Sequence, residues 1–266
     1  MTAQLSPVLF HYTTQAGVLG ILQGNRLWAT KAHYLNDSSE YSYGLALISD
    51  VLRERIKERG TEPERDKLDG VLQQMLGIQT MNVFVTSLTA EADLLSQWRA
   101  YGGYALGFKA RSLRDFAHEQ GFYLASCVYT LTEQRKTINE LIDEFVARIN
   151  ASADWTGEAQ GGCVALASRL ALMLKHESFK EEREWRLISM PKMVSELCFR
   201  QGKSMIIPFF NLALGPDRNS YLDSVIVGPT PQAELAIGSM RMLLRKLQLS
   251  GPEDKVRGTT IPYRNW

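Results

Sequence analysis

Four stretches of the 266-residue chain gather side chains whose types and spacing suit chemistry. His11-Tyr12-Thr13-Thr14 sets an imidazole at the end of an apolar run, within reach of a ligand's hydroxyls or phosphates. It equally suits a strand-to-helix corner, with Thr14 as N-cap and His11 a satisfied polar residue. Tyr34-Leu35-Asn36-Asp37-Ser38-Ser39-Glu40 holds two acids. Asp37 as N-cap with Glu40 three residues on makes a capping box, which accounts for both acids without a ligand and leaves Asn36 unexplained.

Ser87-Leu88-Thr89 is followed, after a short acidic loop, by Ser96-Gln97-Trp98-Arg99-Ala100-Tyr101-Gly102-Gly103. As a loop, this segment offers aromatic faces, a guanidinium and a backbone free to approach a ligand closely; the plainer reading is a hydroxyl-rich strand end and a core Trp. The fourth stretch is Phe179-Lys180-Glu181-Glu182-Arg183-Glu184-Trp185-Arg186-Leu187-Ile188. A charge run is usually a solvated face, but this one leads straight into a strand. Period two puts Glu182, Glu184 and Arg186 on one side and Trp185 and Leu187 on the other. A carboxylate beside an arginine there suits a bond to a ribose or stabilisation of a cation, and equally a structural ion pair.

These residues need elements to hold them. Pro7 to Thr13 predicts a short strand, and Thr14 caps a helix with Val18, Leu19, Ile21 and Leu22 on one face, ended by Gly24-Asn25. Leu27 to Thr30 predicts a second strand. Tyr41, Leu45, Ile48, Leu52 and Ile56 recur at helical spacing. Thr61-Glu62-Pro63-Glu64 predicts a capping box opening a helix with Leu68, Val71, Leu72 and Met75 inward.

Strands follow at Val83–Leu88, Tyr104–Phe108 and Phe122–Tyr129. Two helices come next, one striped by Ile138, Leu141, Ile142, Phe145, Val146 and Ile149, the other from about Cys163 to His176. Ala151 to Gly162 reads as a mobile linker between them. The last third predicts strands at Glu184–Ser189, Met205–Phe210 and Ser224–Val227. Thr230-Pro231 then opens a helix with Leu235, Met240, Leu243, Leu244 and Leu247 inward. Irregular strand and helix order favours α+β over a doubly wound sheet, in one domain over 1–266 with a helical insertion at about 131–178. No Rossmann or P-loop glycine motif occurs.

A net charge of +1 advertises neither nucleic acid nor an anionic membrane, although a local basic groove stays open. No secretory signal and no membrane-spanning run is visible. The three cysteines, without CxxC spacing, read as reduced thiols of a cytoplasmic protein, and the four histidines show no metal-ligand spacing. No metal is expected.

His-Tyr-Thr, Leu-Trp-Ala-Thr, Leu-Asn-Asp-Ser-Ser-Glu, Leu-Leu-Ser-Gln-Trp-Arg-Ala-Tyr-Gly and Glu-Arg-Glu-Trp-Arg-Leu-Ile together resemble a bacterial family of unknown function, from about Phe10 to Pro229. More distantly, the chain resembles the ADP-ribosyltransferases, with His11 on the first strand, Ser87-Leu88-Thr89 in the middle and Glu182-Arg183-Glu184 later. The opening looks like their DNA-modifying toxin branch. The middle motif departs from the usual Ser-Thr-Ser, and the long gap from Thr89 to Glu184 implies inserted helices.

This resemblance implies a split β-sheet with flanking helices, and NAD as substrate rather than resident cofactor. It implies that His11, Thr13 and Thr14 hold the adenosine side, with Ser87 also at the cofactor. Tyr12, Trp98 or Tyr101 would stack on nicotinamide. Glu184 would hold the nicotinamide ribose and stabilise its oxocarbenium-like transition state. Arg99 and Asn36 would contact phosphate or acceptor, with Asp37, Glu40, Glu182 and Arg186 as further polar candidates. The acceptor would be a protein, DNA or RNA, in a toxin or phage-defence setting with an antitoxin or defence partner and no membrane. The rival readings are an NAD glycohydrolase and a non-catalytic nucleotide or nucleic-acid sensor whose Trp98-Arg99-Ala100-Tyr101 stacks a base.

Overall fold

Alternation along β1 (Val8–Thr13) sends Leu9 into one apolar core and Phe10 and Tyr12 into another. Thr14 then caps α1 (Gln15–Gly24): its Oγ1 accepts from the Gly17 N–H at 3.2 Å, and Asn25 closes the helix at φ 55°. The computed structural model describes residues 5–35, 38–58, 61–77, 81–151, 155–202 and 204–262. Asn36 and Asp37, and with them the capping box expected there, lie outside the described residues.

The chain continues through β2 (Arg26–Lys31), α2 (Ser38–Glu58), α3 (Glu62–Leu76), β3 (Phe84–Thr89), α4 (Leu95–Tyr101), β4 (Tyr104–Lys109), α5 (Ala110–Glu119) and β5 (Phe122–Ser126). Then come α6 (Leu131–Ala151), α7 (Gly157–Ala171), β6 (Glu184–Ser189), β7 (Cys198–Gln201) and β8 (Ile206–Ala213). The chain closes with α8 (Arg218–Tyr221), β9 (Leu222–Val227), α9 (Ala233–Lys246), α10 (Pro252–Lys255) and β10 (Val256–Gly258). The fold is mixed α+β. Among the described residues ten strands make one open, mostly antiparallel sheet, with β9 and β10 the parallel pair.

The sheet branches at β3. One edge of β3 pairs with β6 from Val85 to Thr89. The other pairs with β2 at Phe84 and Val85, and with β1 only at Thr89. So β1 and β2 diverge from a common strand. The β1 side continues through β4, β9 and β10, and the β2 side through β8 and β7.

One face of the sheet packs on α1, α5 and α9 around Leu9, Phe84, Phe108, Phe122 and Leu187. Behind β3 and β6, the helices α2, α3, α6 and α7 pack over Val85 and Ile188. The predicted stripes hold in α2, α3 and α6, whose buried residues include Ile48, Leu52, Leu68, Leu72, Ile138 and Phe145. Gly44 lets α2 sit directly on α7: a Cβ there would lie 2.2 Å from the Ala171 carbonyl oxygen.

Several local expectations are corrected. The Trp98-Arg99 segment is helical rather than a loop, because Leu94 to Tyr101 close a short α-turn by backbone bonding. The helix expected at about 163–176 runs Gly157–Ala171, capped by Thr156, so the glycines of the supposed linker form its opening turns. Thr61 starts α3 through its backbone oxygen and makes no side-chain capping bond. The strand from Phe122 ends at Ser126. Leu235 is 67% exposed, outside the buried stripe of α9.

Gly44 and Gly162 should therefore respond oppositely to alanine. Gly44→Ala meets backbone and should lower unfolding free energy by about 1–3 kcal/mol. Gly162→Ala, with no atom within 4 Å of the new methyl, should raise it by about 0.5–1 kcal/mol. Urea unfolding curves check both, and coincident midpoints for the two variants would contradict this packing.

Candidate functional site

Glu184, Thr89 and Phe10 stand in one row across β6, β3 and β1. This row gathers three of the four sequence-selected stretches at the branch. Thr89 donates its hydroxyl to the Glu182 carbonyl at 2.6 Å, tying the end of β3 to the turn that feeds β6. His11 Nδ1 lies 2.9 Å from the Ser87 carbonyl oxygen, in the part of β3 between its β2 and β1 pairings. A carbonyl only accepts, so Nδ1 carries the proton and Nε2 of the neutral ring is left as an acceptor. Burial lowers the His11 pKa, outweighing the Ser87 bond, and keeps the ring neutral.

The centre of the site is a buried charge cluster. Arg186 grips Glu184, Nε to Oε1 at 2.8 Å and Nη2 to Oε2 at 2.9 Å, and gives Nη1 to the Leu172 carbonyl at 2.7 Å. Lys175 Nζ lies 2.8 Å from Glu184, 2.6 Å from Glu182 and 3.2 Å from Glu40. Glu40 also pairs with Arg186. The side chain of Glu184 is 6% exposed and those of both cations 4%, so these are dehydrated contacts, and removing one partner costs far more than breaking a surface pair. Burial pushes the Glu184 pKa up, but Arg186 and Lys175 overcome it and hold the group at about 2. Among the described residues, three carboxylates against two cations leave the cluster one net negative charge.

Two further groups brace Glu184. Its N–H donates to the Tyr129 hydroxyl at 2.8 Å, and the Cys127 thiol donates to Oε2 at 3.8 Å. Burial, then the Glu184 charge, raises the Cys127 pKa strongly, so the thiol stays protonated. Tyr101 lies near enough to the cluster to feel its charges. Burial and then Glu182 and Glu184 raise its pKa, while 38% of the residue remains exposed.

The next residue, Gly102, holds φ at 123° against the Thr13 backbone, where a Cβ would sit 2.8 Å from the Thr13 oxygen. It lines a cavity of about 560 Å³ with Thr14, Gln15, Gly103, Tyr104 and Thr230. Along the chain, the cavity lining begins one residue after Tyr101.

The aromatic candidates part company. Tyr12 and Trp98 are buried edge to face, with centroids 4.5 Å apart. The Tyr12 hydroxyl accepts from Leu94 N–H at 2.9 Å and donates to the Glu91 carbonyl at 3.4 Å. Trp98 donates to Asp93 at 2.7 Å. Both rings brace α4 against β1, and Tyr101 is the one of the three exposed beside the cluster. Arg99 is exposed on α4.

Sequence reasoning missed Lys175, placed inside an expected helix. It instead follows the helix in an extended stretch, its N–H bonded to the Val128 carbonyl at 3.0 Å. It also missed Asp93, which accepts from Trp98, Thr259 and Thr260 and fastens the chain's end to α4. A lone Lys closing the apolar run Leu170 to Leu174 was the available signal for the first.

Residues 97–187 match a protein family described as "Protein of unknown function (DUF2971)". The matched stretch runs from α4 to the middle of β6. It therefore holds Trp98, Arg99, Tyr101, Lys175, Glu182, Glu184 and Arg186, most of the cluster and its flanking tyrosine. It is shorter than the span from Phe10 to Pro229 expected from the motifs. Comparison with curated proteins and with solved structures found no match. Among the described residues no group of His, Cys, Asp and Glu is arranged to hold a metal ion, and no helix is long and apolar enough to cross a membrane.

The Glu184 pKa gives a stability signature. Its folded value of about 2 lies below the ordinary carboxyl value of 4.5, so its contribution is complete above that value. That contribution is lost as pH falls from about 4.5 towards 2. Glu184→Gln should remove this part of the acid dependence and lower stability at pH 7 by about 3–5 kcal/mol, since it breaks a buried pair. Denaturant titrations across pH check this; an acid limb unchanged in the variant would refute the electrostatic account.

Proposed function

We propose that the chain is an NAD-dependent ADP-ribosyltransferase, with NAD bound along the branch between β1 and β2 and the ribose turned towards Glu184. The observation that carries the reading is the meeting of His11 on β1, Ser87 to Thr89 on β3 and Glu182 to Glu184 at β6, on adjacent strands where the sheet divides. A branched, mostly antiparallel sheet with helices set between β5 and β6 is compatible with the split-sheet architecture of such enzymes.

In the reaction the bond from ribose C1′ to the nicotinamide nitrogen breaks. Nicotinamide leaves with the electron pair, and positive charge develops on the ribose. An acceptor nucleophile then bonds to C1′ and loses a proton. The cluster's single net negative charge, fixed in place before substrate arrives, is suited to that transient cation. With a pKa near 2, Glu184 stays ionised at neutral pH and acts through its field rather than by taking a proton. Neutral His11 presents Nε2 to a ribose hydroxyl, and Tyr101, exposed beside the carboxylates, is the ring placed to cover nicotinamide. The cavity beside Thr14 and Gly102 extends the surface open to the dinucleotide.

Nicotinamide release from NAD is the test, with cell extract supplied as acceptor. Glu184→Gln should lose roughly a hundredfold in turnover, as when one preorganised electrostatic group is removed. Circular dichroism and a thermal melt establish that the variant is folded at the assay temperature. His11→Phe supplies an independent variant, expected to raise KM more than it lowers kcat. No release from the wild type, or equal turnover in folded Glu184→Gln, would overturn the assignment. Mass spectrometry of the extract then distinguishes adducts on protein or nucleic acid from free ADP-ribose.

A further inference from the structure

A second recess lies beyond the end of β2, among the described residues of α2, α3 and the 3-10 turn Ala32–Tyr34. Its volume, about 730 Å³, exceeds that of the cavity beside Thr14 and falls within the range of small-molecule pockets. None of the residues assigned to the NAD site lines it.

The walls are of two kinds. Leu45, Met75, Leu76 and Met205 are apolar, and Tyr34 and Tyr41 add aromatic surface. Met205 is 57% exposed and Leu76 54%, so flexible apolar side chains stand at the solvent side. The polar wall carries Lys31, His33 and the pair Arg53–Asp50, whose atoms meet at 2.8 Å. That pair cancels itself. Burial, then the neighbouring Lys31 charge, lowers the His33 pKa and leaves the ring neutral. Among the described residues that line the recess, Lys31 is therefore the charge left unbalanced, and its sign is positive.

Unsatisfied polar atoms collect at the same place. His33 packs edge to face on Tyr41 with centroids 5.1 Å apart, and its Nδ1 is buried without a hydrogen-bond partner among the described residues. The Tyr41 hydroxyl is likewise buried without a hydrogen-bond partner among the described residues, although Ser168 is near enough to oppose the upward push of burial on its pKa. Both atoms are closed to solvent, so it is the rest of the His33 and Tyr41 rings that lines the recess.

We propose that this recess binds a small amphipathic anion: an aromatic or otherwise apolar body of drug-like size carrying one carboxylate, sulfonate or phosphate. The apolar body lies against Leu45, Met75 and Met205, the anionic group meets Lys31, and the neutral His33 ring flanks it. The site also has a neighbour. Tyr41 in its wall directly follows Glu40, which pairs with Lys175 and Arg186 in the charge cluster, so the first turn of α2 serves both places.

The probe is 8-anilinonaphthalene-1-sulfonate, an aromatic anion whose fluorescence rises on leaving water, titrated into the folded full chain at pH 7. Its neutral analogue N-phenyl-1-naphthylamine is titrated in parallel. Saturable one-to-one binding of the sulfonate is expected. Leu45→Trp, which fills the recess, should abolish it. Lys31→Met should weaken the sulfonate by roughly fivefold or more and leave the neutral analogue unchanged. Lys31 is partly exposed at a strand end, so this variant tests the site even if Leu45→Trp fails to fold. No saturable binding to wild type, or sulfonate binding unmoved by Lys31→Met, would overturn the proposal. No NAD is present in the titration, so its outcome is independent of the transferase reading.

Discussion

The dehydration of Arg186 and Lys175 is the constraint to which much of the architecture answers. Two cations almost removed from water cost several kcal/mol each unless carboxylates and carbonyls replace their hydration. The replacements come from far apart in the chain: Glu40 from the first turn of α2, Glu182 and Glu184 from the approach to β6, and the Leu172 carbonyl from the end of α7. Each partner fixes an element. Glu40 ties the start of α2 to the strand that carries Arg186, and the Leu172 carbonyl ties the end of α7 to the same side chain.

The branch of the sheet shares that logic. β3 gives one whole edge to β6, so the strand carrying Glu184 and Arg186 is held along its length. Its other edge is divided between β1 and β2, which leaves the middle of β3 to be met by the His11 side chain instead of a backbone ladder. A polar side chain satisfying a strand carbonyl at a gap in the sheet is a costly substitute for ordinary pairing. Here it falls on β3 two residues before Thr89, the position that pairs with Glu184 of the charged cluster.

Local signals were legible where the physics is local. The Thr14 cap, the α2 and α6 stripes and the strand from Glu184 depend on neighbours within a few residues, and periodicity revealed them. The helix α4 was hidden because seven residues give barely two turns of period. The helix α5 carried Leu113, Phe116 and Ala117 at helical spacing, a signal present but short. β7 and β10, at four and three residues, owe their pairing to β8 and β9. At the site, the residue types were legible and the partnerships were not. The pattern set Arg186 and Glu184 on one face of a strand, but Lys175, Cys127, Tyr129 and Asp93 act through contacts that only the tertiary fold creates. Tyr12 and Trp98 illustrate the converse: a motif can be chemically suggestive and still serve to pack a helix on a strand.

The strands β5 and β6 are adjacent and antiparallel, yet two long helices separate them in the chain. Tyr129 meets Glu184 across 55 residues, and Arg186 meets Glu40 across 146. Closing such loops costs entropy before any contact repays it, and non-local pairings of this kind slow folding. Lys175, by contrast, is nine residues from Glu184. An excised segment from β5 to β6 would keep Lys175, Glu182, Glu184 and Arg186 but lose Glu40, so its two cations would face two carboxylates instead of three and the net negative charge would be gone.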